Sequence, residues 1–409
     1  MTPAQAAAAA LLTPEAVRER AAELYALGLE DGLQAWHLRP ERLDAAADLV
    51  AAVVRDRYPD LRVPPHTRWR HLLPDGLSTL ALIAARLDQD PAALLRARMD
   101  LITLSVLLDA GAGMGWRYID LETGHCHTRS EGLAMASLAM FARGDFADDG
   151  HSLRADAARL AGMTEEALGR GFQAGPDNPL AGLEGRAALL RRLGETMAAA
   201  PAVFGQVYPP RPSGLIDGLT AEIAEGALPA RAILIALLRH LGPIWPGRAV
   251  LEGVELGDCW RHPGIRRADA TNGLIPFHKL SQWLAYSLIE TLEDSGIRVT
   301  GLEALTGLAE YRNGGLFLDM GVIEPRDPAL LEAEHAPGDV AIVEWRALTV
   351  ALLDAIAPRV RARLGLDEAA FPLVRVLEGG TWWAGRRLAR ERRADGGPPL
   401  RIVSDGTVF

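Results

Sequence analysis

One segment constrains the fold of this chain more than any other. Val340–Leu353 (VAIVEWRALTVALL) carries apolar residues around its whole circumference, interrupted only by Glu344, Arg346 and Thr349. A helix without a polar face cannot lie on a surface and has to be enclosed by other elements. Asp339 is placed to cap it, and Pro358 to kink or split it before Gly365. Glu344 and Arg346 are then buried charges that need partners. Glu310 is the candidate for Arg346, and Lys279 the candidate for Glu344. With 49% hydrophobic residues to build such a core, the chain reads as mainly α, with a few short strands.

The chemistry points to Pro276–Ile323. The chain has 43 lysines plus arginines, and Lys279 is the single lysine among them. Exposed Lys and Arg positions are usually interchangeable, so a lysine surviving against that bias marks a place where a compact, tunable ammonium matters. Pro276 suits a helix start and Gly296 the residue past its end. On that helix Lys279, Trp283, Tyr286 and Glu290 share one face, and Phe277, Leu280, Leu284, Leu288 and Leu292 share the other. Thr300-Gly-Leu-Glu303 reads as a capping box whose helix runs to about Tyr311. Asn313-Gly314-Gly315 then breaks it, and a second short helix ends near Gly321. Glu310, Tyr311 and Arg312 fall at the elbow between the two.

The remaining chain adds candidates and exclusions. A net charge of −10 argues against a general binder of nucleic acid or anionic membrane. Two cysteines, Cys126 and Cys259, cannot make a disulfide framework, which fits a cytoplasmic protein. No apolar run approaches a membrane span, and the alanine-rich start reads as a helix rather than a signal peptide. Residues 1–60 read as an N-terminal helical segment. Residues 61–409 read as one α-rich body whose two lobes meet near Pro209–Gly214, with the site between them. Arg68, Trp69, Arg70 and His71 read as a surface loop pinned by Trp69. The run Leu101–Leu108 delivers Asp109, then glycines and Trp116, a construction that suits a ligand's hydroxyl and a pocket wall. Residues 118–121 and 125–128 read as a hairpin with His125 and His127 on one face and Cys126 opposite. With no HExxH and no paired CxxC, no metal or other cofactor is expected. Glu378-Gly-Gly reads as a glycine-rich turn before Trp382 and Trp383, and the arginines that follow as a solvated helix face. Ser404–Phe409 reads as a final strand or turn.

Taken together, VPPHTRWRHL, LLDAGAGMGWRY, RSEGLAMASLAMF, PFHKLSQWLAYSL, LTGLAEYRNGGLFLDMGV, EWRALTVALLD, LEGGTWWAGR and SDGTVF resemble the uracil-regulated family of fungi and bacteria, over nearly the whole chain from about residue 60. That family is linked to a route that opens the ring of a uracil nucleotide. Three segments also resemble the queuosine-salvage nucleosidases, which are built like helix-hairpin-helix DNA glycosylases and hydrolyse an N-glycosidic bond. Lys279 with Gln282 matches their lysine block, and Ala309-Glu310-Tyr311-Arg312 matches their Ala-Asp-Tyr-Arg. Glu344-Trp345-Arg346-Ala347 matches their Glu-Ile-Arg-Ala. Here Glu310 stands where they have Asp, and no arginine follows Lys279.

The resemblance implies a helix-hairpin-helix, glycosylase-like architecture and an N-glycoside hydrolase. Its expected partner is a small phosphorylated riboside such as ribosylurea phosphate, split into urea and ribose phosphate. Glu310 and Lys279 are the expected catalytic pair. Asp109, Trp116, Gln282, Trp283, Tyr311, Arg312, Glu344 and Arg346 are the expected substrate contacts. Two other readings stand beside it: a non-catalytic sensor of a pathway nucleotide, and a metal-dependent hydrolase using His125, His127 and a further ligand. Homo-oligomerisation is left open by the sequence.

Overall fold

The computed structural model describes residues 2–73, 75–205, 209–245 and 249–403. The chain is mainly α, and its strands form only two-stranded pairs. It divides into two compact units. The expected closing strand at Ser404–Phe409 lies outside the described residues.

The first unit comprises Met1–His66, Arg248–Gln282 and Gly301–Val403. Its axis is the helix Val340–Leu364, which packs on Pro14–Leu29, Leu43–Arg57 and Tyr311–Asp319. The all-round apolar segment is thus enclosed, as its pattern requires. Pro358 does not split this helix, which continues to Leu364 and closes on Gly365 at φ +71°. Burial of Ile356, Ala357 and Val360 on both sides of the proline outweighs one missing hydrogen bond. Two antiparallel pairs, Trp36–Leu38 with Ile323–Pro325 and Cys259–Arg261 with Leu274–Pro276, tie distant segments of the unit together.

The described residues of the second unit fall within Thr67–Gly247 and Trp283–Thr300, so Pro209–Gly214 lies within it. Pro91–Leu107 packs on Arg129–Arg143, and Leu183–Ala199 packs on Ala157–Ala161. Arg117–Ile119 pairs with Cys126–Thr128 as the expected hairpin, and Ala227–Pro229 runs parallel to Arg298–Thr300. Arg68 and Trp69 are buried rather than set in a surface loop. The guanidinium of Arg68 finds Asp109, Ser105 and Ser130 through Nε and Nη1, while its Nη2 has no hydrogen-bond partner among the described residues, and the Trp69 indole donates to Thr291.

Four local expectations are overturned by contacts from elsewhere in the sequence. The helix expected from Pro276 begins at Lys279, and Pro276 closes a strand. Its leading N–H groups are claimed by Asp258: Phe277 and His278 donate to its carbonyl and Lys279 to its carboxylate. No α-helix follows Thr300; Leu302–Ala304 is a single 3-10 turn, and only Tyr311–Asp319 is helical. The carbonyls of Glu303, Ala304 and Leu305 accept from Arg18 instead of continuing a helix. Asn313-Gly314-Gly315 therefore lies inside a helix. Its glycines serve close packing: a Cβ on Gly314 would stand 2.6 Å from the Trp345 ring. Likewise Glu378-Gly-Gly is not a turn but part of the π-helical stretch Leu377–Thr381, where Gly379 and Gly380 lie against Val63 and Val50.

Candidate functional site

Glu310 is the N-cap of Tyr311–Asp319. Its extended backbone turns the carboxylate back over the first turn, where Oε2 accepts from the Arg312 amide at 2.7 Å and Oε1 from the Asn313 amide at 2.5 Å. A helix N-terminus favours negative charge and fixes the group that carries it. Burial, the larger effect, pushes the Glu310 pKa above the usual carboxylate value; the two amides and the nearby Lys279 and His66 act against it. The result is a buried carboxylate, fixed by two backbone amides, within electrostatic reach of Lys279 and His66.

The rest of this cluster holds Glu310 in place. Asn313 accepts from Thr381 Oγ1 at 2.8 Å and donates to the Leu308 carbonyl at 3.3 Å. Thr381 ends the π-helical stretch that also carries Glu378, and Glu378 Oε2 lies 2.7 Å from His66 Nδ1. Extra-wide turns of this kind recur at functional sites because they redirect side chains that a regular helix would space differently. Gln282 is wholly buried and donates to Thr306 Oγ1 at 2.9 Å, which joins the first turn carrying Lys279 to the segment leading to Glu310.

Neither expected partner of the buried helix's charges is correct. Arg346 forms a two-point pair with Asp258, at 2.9 and 2.7 Å, over the Phe277 ring. Glu344 accepts from the amides of Gln34 and Ala35 at 2.8 and 2.9 Å and lies 3.1 Å from His262 Nε2. Arg346, Asp258, Glu344 and His262 are all buried, and an unpaired charge in this helix would cost several kcal/mol, roughly 3–5. Arg312 donates to the Gly396 carbonyl at 3.1 Å and lies over the half-buried Tyr311 ring. Glu344, Arg346 and Arg312 are thus engaged within the protein.

Asp109, Trp116 and Trp283 belong to the second unit. The Asp109 carboxylate pairs with Arg68 at 2.7 Å and accepts from Ser130 Oγ at 2.6 Å. Trp283 lies edge-on to His71, 5.7 Å away, with Arg68 on its face. Trp116 is no pocket wall: it is wholly buried, donates to the Phe172 carbonyl at 3.0 Å and has Gly132 against its ring.

Similarity to known proteins covers the regions that supply both clusters. The family model described as "Protein of unknown function (DUF1688)" matches residues 10–409. The chain belongs to that family. "Protein urg3" of Schizosaccharomyces pombe is 37% identical over 412 aligned positions, covering 98% of this chain and 98% of the relative. "Uracil catabolism protein 4" of Lachancea kluyveri is 35% identical over 432 positions, covering 96% and 97%.

Within this family member, Glu310, Lys279, Gln282, Tyr311, Arg312, Glu344 and Arg346 all fall in the first unit. The sequence reading passed over His66, Glu378, Asn313 as a ligand of the cap, and Asp258. His66 and Glu378 lie in the segments VPPHTRWRHL and LEGGTWWAGR, so the signal was present as motif but not as pairing. Asp258 was visible only as one polar residue among Asp258-Cys259-Trp260-Arg261-His262.

Proposed function

We propose that this protein acts in uracil breakdown as an N-glycoside hydrolase, on a 5′-phosphorylated riboside such as ribosylurea phosphate. The observation that carries the reading is Glu310: a buried carboxylate held by two amides, within electrostatic reach of Lys279. A relative that spans almost the same length bears the name uracil catabolism protein, which supports the pathway.

Cleavage of an N-riboside develops positive charge on C1′ and the ring oxygen. In this reading Glu310 stabilises that charge and takes a proton from the attacking water. The water oxygen bonds to C1′ as the C1′–N bond breaks, and its electron pair passes to the leaving nitrogen. Lys279 supplies the proton that nitrogen needs, so the sum is hydrolysis to urea and ribose phosphate. Burial serves this chemistry, because a fixed charge acts more strongly where water is scarce.

The test is to incubate the purified protein with ribosylurea phosphate and measure free urea and ribose phosphate together. Stoichiometric appearance of both, lost in Glu310→Gln, is the expected result. Saturable binding without either product would replace hydrolysis by sensing of a pathway nucleotide.

A further inference from the structure

A second chemical centre lies in the second unit. The pair Arg117–Ile119 and Cys126–Thr128 is a hairpin, and residues two apart on its return side leave the same face. His125 and His127 are such a pair. Asp75, which precedes the helix Leu77–Arg86, arrives at the same place from fifty residues upstream.

One carboxylate and two imidazoles converge at this place. His125 Nδ1 lies 3.8 Å from Asp75 Oδ1, and His127 Nδ1 lies 4.0 Å from Asp75 Oδ2. One ligand atom from each residue lies within 4.8 Å of the other two. These separations are too long for hydrogen bonds. They are only slightly longer than the ~3.4 Å edges implied by tetrahedral bonds of ~2.0–2.1 Å to a zinc ion. The imidazoles stand edge to face, with centroids 6.2 Å apart.

A second observation comes from His127 itself. Its side chain is nine-tenths buried, and Nε2 has no hydrogen-bond partner among the described residues. A buried imidazole is normally paired through both nitrogens. Its other nitrogen, Nδ1, faces Asp75 at a separation too long for a hydrogen bond, and it is the atom that an ion here would engage. Asp75 and His125 are more exposed, so both can rotate to shorten the ligand-to-ligand edges, which reach at most 4.8 Å.

We infer that Asp75, His125 and His127 form a binding site for a divalent transition-metal ion, zinc by the chemistry of two imidazoles and one carboxylate. The bound ion fastens the hairpin to the start of Leu77–Arg86 and keeps at least one coordination position open to water. The sequence offered His125 and His127 as ligands only in an alternative reading, and the further ligand it left unnamed is Asp75. This inference is independent of the riboside hydrolase reading.

The test is calorimetric titration of chelator-stripped, tag-free full-length protein with Zn²⁺, with thermal denaturation in parallel. One equivalent is expected to bind at micromolar Kd or tighter and to raise the melting temperature. His125→Gln, a change at an exposed side chain, is expected to weaken binding at least about tenfold, as is Asp75→Asn. Cys126→Ser leaves it unchanged, which separates the site from the exposed thiol between the histidines. Binding weaker than about 100 μM in the native chain would overturn the assignment, as would wild-type affinity in both His125→Gln and Asp75→Asn.

Discussion

Asp258 holds Arg346 through two hydrogen bonds, and its Oδ2 also receives the backbone N–H of Lys279 at 3.1 Å. One carboxylate thus neutralises a charge on the central buried helix and caps the helix that begins with the chain's only lysine. Asp258→Asn is expected to destabilise the protein by roughly 3–5 kcal/mol, because Arg346 is left as a buried charge without its counter-ion. Urea denaturation measures this. A loss below about 1 kcal/mol would mean that Arg346 is stabilised mainly by other groups.

The same pair sets a pH dependence. Arg346 holds the Asp258 carboxyl well below its ordinary value of 3.8, despite the opposing effect of burial. Its folded pKa is depressed, so its contribution is present above pH 3.8 and is lost as pH falls through the folded value. Asp258→Asn should therefore differ most from the native protein near neutrality, with the gap closing in strong acid.

Asp100 acts with the opposite sign. It is wholly buried, and desolvation raises its pKa from 3.8 to about 6. The folded state is thus favoured below pH 3.8, and that advantage is lost as pH rises through about 6. Asp100→Asn is expected to remove this fall, so the stability difference between pH 4 and pH 7 should shift by about 2 kcal/mol relative to the native protein. Paired urea melts at the two pH values check it; equal differences in both proteins would place the Asp100 titration elsewhere.

If Glu310 works as the carboxylate, burial should show in the rate profile. Its pKa lies above 4.5, so activity should fall on the acid side with a midpoint above that value. Glu310→Gln should lower kcat for urea release at least about 100-fold while leaving the helix content unchanged. Full turnover by that variant would remove Glu310 from the reaction.

Glycine positions give a contrast in packing. A Cβ at Gly385 would collide with the backbone carbonyl of Arg312, just after the Glu310 cap, whereas nothing lies within 4 Å of one at Gly218. Gly385→Ala should cost about 1–3 kcal/mol. Gly218→Ala, on the helix Leu215–Leu219, should be neutral or stabilising by up to about 1 kcal/mol. Thermal melts of the two single variants decide this.

Sequence alone determined that Val340–Leu353 had to be enclosed by other helices, because no rotation of that helix offers water a polar face. It also marked Lys279 and Glu310 as the residues to watch, one by rarity and the other through resemblance. The hairpin bearing His125 and His127 was legible as well, because strand alternation and turn residues are local signals. Only the tertiary structure decided where helices begin and which charges pair. Asp258 overrode the start at Pro276, Arg18 took the carbonyls that a helix after Thr300 would have used, and Glu344 and Arg346 chose partners far away in the chain. The physical reason is common to all of them. A buried polar group must be satisfied by whatever the fold brings within about 3 Å, and sequence spacing does not record that distance.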